Sequence, residues 1–242
     1  MAKNGNDKSV VCENVSFAAK EAYKKVRTGI LFSFTDDGKS RVIGVTSSVP
    51  GEGKSITSVN LAYSFAQIGK KVLLVEGDMR RPSIHNYLSM TGSPGLSNML
   101  TGINSTGGRL VSMYKPSDDT EGIYFLPAGD LPPNPAELFN SDKMTDFVSM
   151  SRQKFDIIII DLPPVNAVAD VAILSNLLDG FVVVVHENVT RHEDAAKCFE
   201  ELNRVNAKIL GVIMNGVDLS KDSHYGRYGK YGYNYYKYGY YK

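Results

Sequence analysis

Lys54 and Ser55 stand behind two glycines in Pro50-Gly51-Glu52-Gly53-Lys54-Ser55, an order of residues suited to holding phosphate. The run before it, Val42-Ile43-Gly44-Val45-Thr46, is apolar and β-branched and reads as a buried parallel strand. The run after it, from Ser55 to about Gln67, reads as a helix. Glycines at 51 and 53 let backbone N–H groups approach anionic oxygens with no Cβ in the way. The helix N-terminus adds positive potential at the same point. In such a loop Lys54 reaches the β- and γ-phosphates, and the Ser55 hydroxyl ligates Mg2+. The complete P-loop pattern is broken at one place, Ser48, where its first glycine would fall. Gly-Lys-Ser alone occurs by chance in many sequences. The strand before, the helix after and Pro-Gly-Glu between make this a nucleotide-phosphate site.

Carboxylates come next. Lys71-Val72-Leu73-Leu74-Val75 reads as a second buried strand, and at its end stands Glu76-Gly77-Asp78-Met79-Arg80-Arg81-Pro82. Open α/β sheets place their chemistry at such strand ends; the competing reading is an ordinary acidic turn. Phe155-Asp156-Ile157-Ile158-Ile159-Ile160 leads into Asp161-Leu162-Pro163-Pro164, a buried strand that delivers one acid to the catalytic edge before prolines stop it. That acid, Asp161, is placed as the Walker B residue that holds Mg2+, usually through water.

The elements that must position these groups alternate. A helix is expected from Ala18 to about Phe32, with Glu21, Lys24 and Arg27 on one face, which on spacing alone reads as a solvated charge stripe. Asp36 to Lys39 is a turn, and Gly92 to Gly108 is loop-rich with a short helix over Leu96–Leu100. Further strands are expected over Ile123–Leu126, Phe181–Val185 and Lys208–Met214. Helices are expected over Ala136–Phe139, Lys143–Ser151 and about His192–Val205. Asn215 and Asp218 follow the last strand. With no hairpin signal, the alternation predicts a doubly wound, mostly parallel sheet of the P-loop NTPase kind, with helices on both faces.

The 242 residues suffice for one large core, and no linker divides them. The expected organisation is a flexible N-terminus over 1–16, a nucleotide-binding unit over 17–219 and a tail over 220–242. A net charge of +1 argues against bulk electrostatic binding of nucleic acid or lipid. The two cysteines, Cys12 and Cys198, sit in no metal-ligand spacing, which fits a reducing compartment. The polar N-terminus carries no signal-peptide core, and no apolar run is long enough to span a bilayer. A cytoplasmic protein is expected. The tail breaks with everything before it: Tyr225, Tyr228, Tyr231, Tyr233, Tyr235, Tyr236, Tyr238, Tyr240 and Tyr241 are interleaved with glycine and basic residues, with no acid after Asp222. Lacking aliphatic residues, it cannot build a core and is expected to be disordered. Three readings stand for it: a stacking tract for single-stranded nucleic acid, an adhesive low-complexity tail, or a cluster of phosphate acceptors.

Together these motifs resemble the bacterial tyrosine kinases of capsular and exopolysaccharide synthesis, in their soluble, separate-polypeptide form. The carriers are Ser47 to Ser55, Glu76 to Pro82, Asp161 to Pro164 and the terminal tyrosines, and the likeness runs from Glu21 onward. It implies Mg2+-ATP-dependent phosphorylation of tyrosines, chiefly on the tail of a neighbouring subunit. It also implies a membrane adaptor that activates the enzyme and controls polymer chain length, so that a cytoplasmic chain becomes membrane-associated, and a cognate tyrosine phosphatase. A nucleic-acid partner is not expected. Under the resemblance Lys54, Glu76, Asp78 and Asp161 are catalytic, with Glu76 accepting the phenol proton and Asp78 and Asp161 holding the metal with Ser55. Pro50, Gly51, Glu52, Gly53, Lys54, Ser55 and Ile56 bind the nucleotide, with Asn215 on its adenine side. Glu21, Lys24 and Arg27 match the family's Glu-x-x-Arg-x-x-Arg motif for ring-like assembly. Two residues depart: Lys24 stands where that motif has arginine, losing a planar fork, and Glu76 where the acidic motif begins with aspartate. Partition and septum-placement ATPases are the nearest rivals, but they carry a lysine where Val49 stands here. Iron-carrier relatives need cysteines that this chain lacks. From another class, a nucleotide-gated binding protein with a nucleic-acid-stacking tail is the alternative.

Overall fold

A computed structural model describes residues 15–35, 37–102, 110–114, 122–168 and 170–217. Helix α1 (Phe17–Phe32) opens with Ser16, whose hydroxyl accepts the Ala19 N–H at 3.3 Å. Strand β1 (Arg41–Ser47) follows and runs through the phosphate loop into α2 (Lys54–Ala66). Then come β2 (Val72–Glu76), α3 (Ile84–Tyr87), α4 (Leu96–Thr101), β3 (Val111–Tyr114) and β4 (Ile123–Leu126). The rest alternates: α5 (Pro135–Phe139), α6 (Asp142–Arg152), β5 (Ile157–Asp161), α7 (Asp170–Leu174), β6 (Gly180–His186), α8 (His192–Arg204) and β7 (Ile209–Asn215).

The seven strands form one sheet in the order β3-β4-β2-β5-β1-β6-β7, parallel throughout except for β3 against β4. Apolar residues fill both faces, as parallel strands covered on each side require. On one face Ile43, Val45, Leu74 and Ile159 meet Val59, Ala62 and Phe65 of α2. On the other, Val42, Val75 and Ile160 meet Met144 and Phe147 of α6 and Cys198 and Leu202 of α8. Full burial of one such side chain contributes about 1.5–3 kcal/mol, and α2 is enclosed along nearly its whole length.

The expected parallel architecture is what forms, with corrections: the short helices α3 and α7 were not among those expected, and two further points differ. Strand β3 was not anticipated: Val-Ser-Met-Tyr is short, half-exposed and at the sheet edge, so it lacks the continuous apolar run that marks the inner strands. The charge stripe on α1 is also not one solvated face. Glu21 and Lys24 pair at 2.7 Å on the surface, but Arg27 turns inward and donates to the Ser64 carbonyl at 2.6 Å, tying α1 to α2. The tail tyrosines, Asp218, Cys12 and residues 1–14 of the N-terminus expected to be flexible over 1–16 lie outside the described residues.

Candidate active site

Three adjacent strands bring the site together. In the order β2-β5-β1, β5 lies centrally, and Asp161 at its end is in register with Val45 of β1 and Glu76 of β2. The phosphate loop bends through Gly51 and Gly53, both at φ +88°, a backbone state that side chains resist. No side chain caps the first turn of α2, so its amides are offered to an anion. Ser55 donates its hydroxyl to Asp161 at 2.7 Å, and Ser58, one turn further, donates to the other oxygen at 3.1 Å. Lys54 Nζ stands 2.8 Å from Asp78 and 3.7 Å from Asp161.

Burial pushes the Asp161 carboxyl up to about 6. The Lys54 ammonium and the Ser55 hydroxyl pull the other way, and the charges of Asp78 and Glu76 add to the rise. For Lys54 burial works toward a lower value, but Asp161 and Asp78 together hold the ammonium above the usual lysine range. The site is therefore a buried cation wedged between two acids. Among the described residues no group of three or more His, Cys, Asp or Glu is arranged to hold a metal by itself. One hydroxyl and two carboxylates are hard oxygen donors, and they fit Mg2+, which keeps waters and phosphate oxygens in its shell.

A cavity of about 580 Å3 opens beside these groups. Pro50, Gly51, Gly53, Lys54, Ser55 and Ile56 form one wall, and Asp78, Arg80 and Arg81 form a second. The remaining wall is largely apolar, from Tyr87, Pro163, Pro164 and Val168. Arg80 reaches the buried Asp170 with two bonds, at 2.9 and 3.1 Å, and the Arg81 N–H donates to Asp78 at 3.0 Å.

Four expected site residues are not on the cavity wall: Asp161, which meets it through Ser55 and Lys54, and Glu76, Glu52 and Asn215. Glu76 is wholly buried and accepts from the Ile84 N–H, from the Ala128 N–H at 3.4 Å and lies 3.1 Å from His85 Nδ1. The Glu52 side chain turns under the loop, to Ser48 at 2.7 Å and the Val49 N–H at 2.9 Å. Asn215 spends its amide nitrogen on the Glu52 carbonyl at 2.9 Å and the Thr57 hydroxyl at 3.2 Å. Ser58, His85, Tyr87 and Asp170 were missed from sequence. Only Ser58 carried a sign, its three-residue spacing from Ser55 on the helix.

Residues 38–228 match the family model described as ParA: NUBPL iron-transfer P-loop NTPase. The chain is 41% identical over 209 residues to tyrosine-protein kinase YwqD of Bacillus subtilis (strain 168), covering 86% of each. The chain belongs to the bacterial tyrosine kinases of capsular and exopolysaccharide synthesis. Its fold agrees: the kinase domain of the Escherichia coli tyrosine kinase ETK superposes with a TM-score of 0.78 at 27% identity, over 90% of this chain and 82% of that one. A ParA family ATPase from Chlorobium tepidum TLS superposes with a TM-score of 0.57 at 18% identity, over 74% and 73% of the two chains, a likeness of fold alone. This kinase is thus a protein-tyrosine kinase on a P-loop NTPase fold, a class that binds nucleotide with Mg2+. No helix among its described residues is long and apolar enough to cross a membrane.

Proposed function

We propose that this kinase transfers the γ-phosphoryl group of Mg2+-ATP to tyrosines in the 220–242 tail of a neighbouring subunit, regulating capsular or exopolysaccharide synthesis and chain length with a membrane adaptor. The observation that carries this reading is the Lys54 ammonium between Asp78 and Asp161, with Ser55 bonded to Asp161, facing a cavity with room for a triphosphate and a phenol. The unit over 17–219 is the enzyme and the tail its substrate.

In the reaction the tyrosine oxygen bonds to the γ-phosphorus, the bond from that phosphorus to the bridging oxygen breaks, and ADP leaves. The amides of Gly51 to Ser55 and the adjoining Pro50 and Ile56 cradle the phosphates. Lys54 follows the charge on the moving group, a contact worth on the order of 10³ in rate. Ser55, Asp78 and Asp161 would hold Mg2+, whose charge neutralises the phosphate oxygens. Pro163, Pro164 and Val168 offer an apolar wall for the acceptor ring. Glu76 is buried against Ile84, His85 and Ala128; it takes the phenol proton once acceptor binding releases it from Ile84 and His85. The transfer is loose, so proton removal is late. The carbonyl oxygen of Asn215 serves the adenine side. Glu21, Lys24 and Arg27 support a ring-like assembly at the cytoplasmic face of the adaptor, and a tyrosine phosphatase resets the tail.

Transfer between subunits is tested by mixing a Lys54→Met chain with an active chain that lacks residues 220–242. The Lys54→Met chain alone is expected to label about 10³-fold more slowly than wild type, and to label readily in the mixture. A Lys54→Met chain that stays unlabelled in the mixture refutes transfer in trans, and undiminished labelling of that chain alone removes the role given to Lys54.

A further inference from the structure

An acid in the middle of a phosphate loop is an electrostatic contradiction, since it stands where anionic oxygens must arrive. Glu52 resolves it by geometry. Its side chain is wholly buried on the far side of the loop from the cavity. There the carboxylate accepts from the Ser48 hydroxyl and the Val49 N–H of the loop itself. It also accepts a third bond from Thr190, a residue of the turn after β6 and 138 positions away in sequence. The Thr190 hydroxyl is fixed in turn, because it accepts the His186 N–H at 2.8 Å. One hydroxyl thus both accepts from the end of β6 and donates to the loop.

We propose that Thr190 is a positioning residue for nucleotide binding, acting through the buried carboxylate of Glu52. Glu52 lies between Gly51 and Gly53, the two loop residues with left-handed backbone. A flexible glycine pair would sample many arrangements when free, and ordering it on binding costs conformational entropy. Glu52, held at its carboxylate by Thr190 and at its carbonyl by Asn215, sets both glycines before the phosphates arrive. Thr190 therefore acts on how tightly ATP is held, not on the transfer step.

This rests on the reading of Gly51 to Ser55 as the nucleotide cradle, and equilibrium binding of Mg2+-ATP to the full chain separates the two. If the wild-type chain binds no ATP, the cradle reading itself fails and this proposal with it. Thr190→Val keeps the shape and loses the hydroxyl; binding about tenfold weaker is expected, the usual effect of depriving a buried charged group of one partner. Thr190→Ser keeps the hydroxyl and is expected within about twofold of wild type. In steady state Thr190→Val should raise KM for ATP and leave kcat nearly unchanged, whereas a merely structural lesion would lower kcat and thermal stability. A folded Thr190→Val chain that binds ATP as wild type does overturns the proposal. So does a serine variant as weak as valine. Should Thr190→Val fail to fold, Glu52→Gln decides in its place: weaker binding supports the strut, and wild-type binding ends it.

Discussion

Lys54 and Asp161 define each other's state. With its carboxyl raised to about 6 by burial, Asp161 holds a proton in acid that Mg2+ must displace. Only the ionised form ligates, so affinity for Mg2+-nucleotide should fall as pH drops through about 6. The ionised fraction goes from roughly 90% at pH 7 to roughly 10% at pH 5, about a tenfold loss. Titration calorimetry at the two pH values reads this directly; equal affinities would contradict it. The sign for the unliganded fold is opposite. Protonation stabilises it, and that stability is lost as pH rises from the ordinary 3.8 to about 6. Glu76 yields a second prediction. Glu76→Ala and Glu76→Gln should both lose most phosphorylation while ATP binding survives, because neither can take a proton. Retention of activity by the glutamine variant alone would reduce Glu76 to an anchor for Ile84, Ala128 and His85. At this scale the sequence was informative wherever a residue works through its own backbone position, as Lys54 and Ser55 do. It was silent about side-chain direction. A carboxylate at position 52 or 76 reads the same whether it faces the cavity or the core, and partners such as Thr190 and Asp170 are distant along the chain.

The pairing of α1 with α2 separates stability from assembly. Arg27 donates to the last turn of α2 from a partly buried position, where its desolvation lowers the affinity of the guanidinium for its proton. Arg27→Ala should cost about 1–2 kcal/mol and lower Tm by roughly 2–5 °C. Glu21 and Lys24 are an exposed pair worth under about 1 kcal/mol, so Glu21→Ala should leave Tm in place. If the stripe also joins subunits, Glu21→Ala alone should reduce particle mass in light scattering; unchanged mass with intact Tm speaks against the helix as a ring contact. The elements themselves were readable because inner parallel strands are continuous apolar runs, and β1, β2, β5 and β6 each announce themselves. Strand β3 did not, since an edge strand with one face wet needs no such run. Arg27 misled for a related reason: three-residue spacing gives a helix face, not what stands opposite it.

Across the whole molecule charge is nearly balanced, at +1 over 242 residues, while the tail beyond Asp222 carries basic residues and no acid. Each phosphate adds about −1.5 to −2 at neutral pH, so several of them reverse the sign of that end. Complete tail phosphorylation is therefore expected to loosen the proposed assembly, and scattering before and after treatment measures it; a particle of equal or greater mass would count against this. The doubly wound architecture was legible from the alternation of elements. Strand order was not, because nothing in Ile157–Ile160 says which neighbours it takes. That order matters while the chain is being made. Strands β1 and β2 leave the ribosome early, yet they never pair with each other; β5 must slide between them. A nascent chain that ends before Ile157 carries the whole phosphate loop and an open slot in its sheet, with no Asp161 beside Lys54. Long-range insertion of this kind is slow and leaves strand edges exposed. An unfinished chain is therefore expected to lack the acid that pairs with Ser55 and Lys54 until Asp161 is translated, and to expose the edges of its strands for as long as that slot stays open.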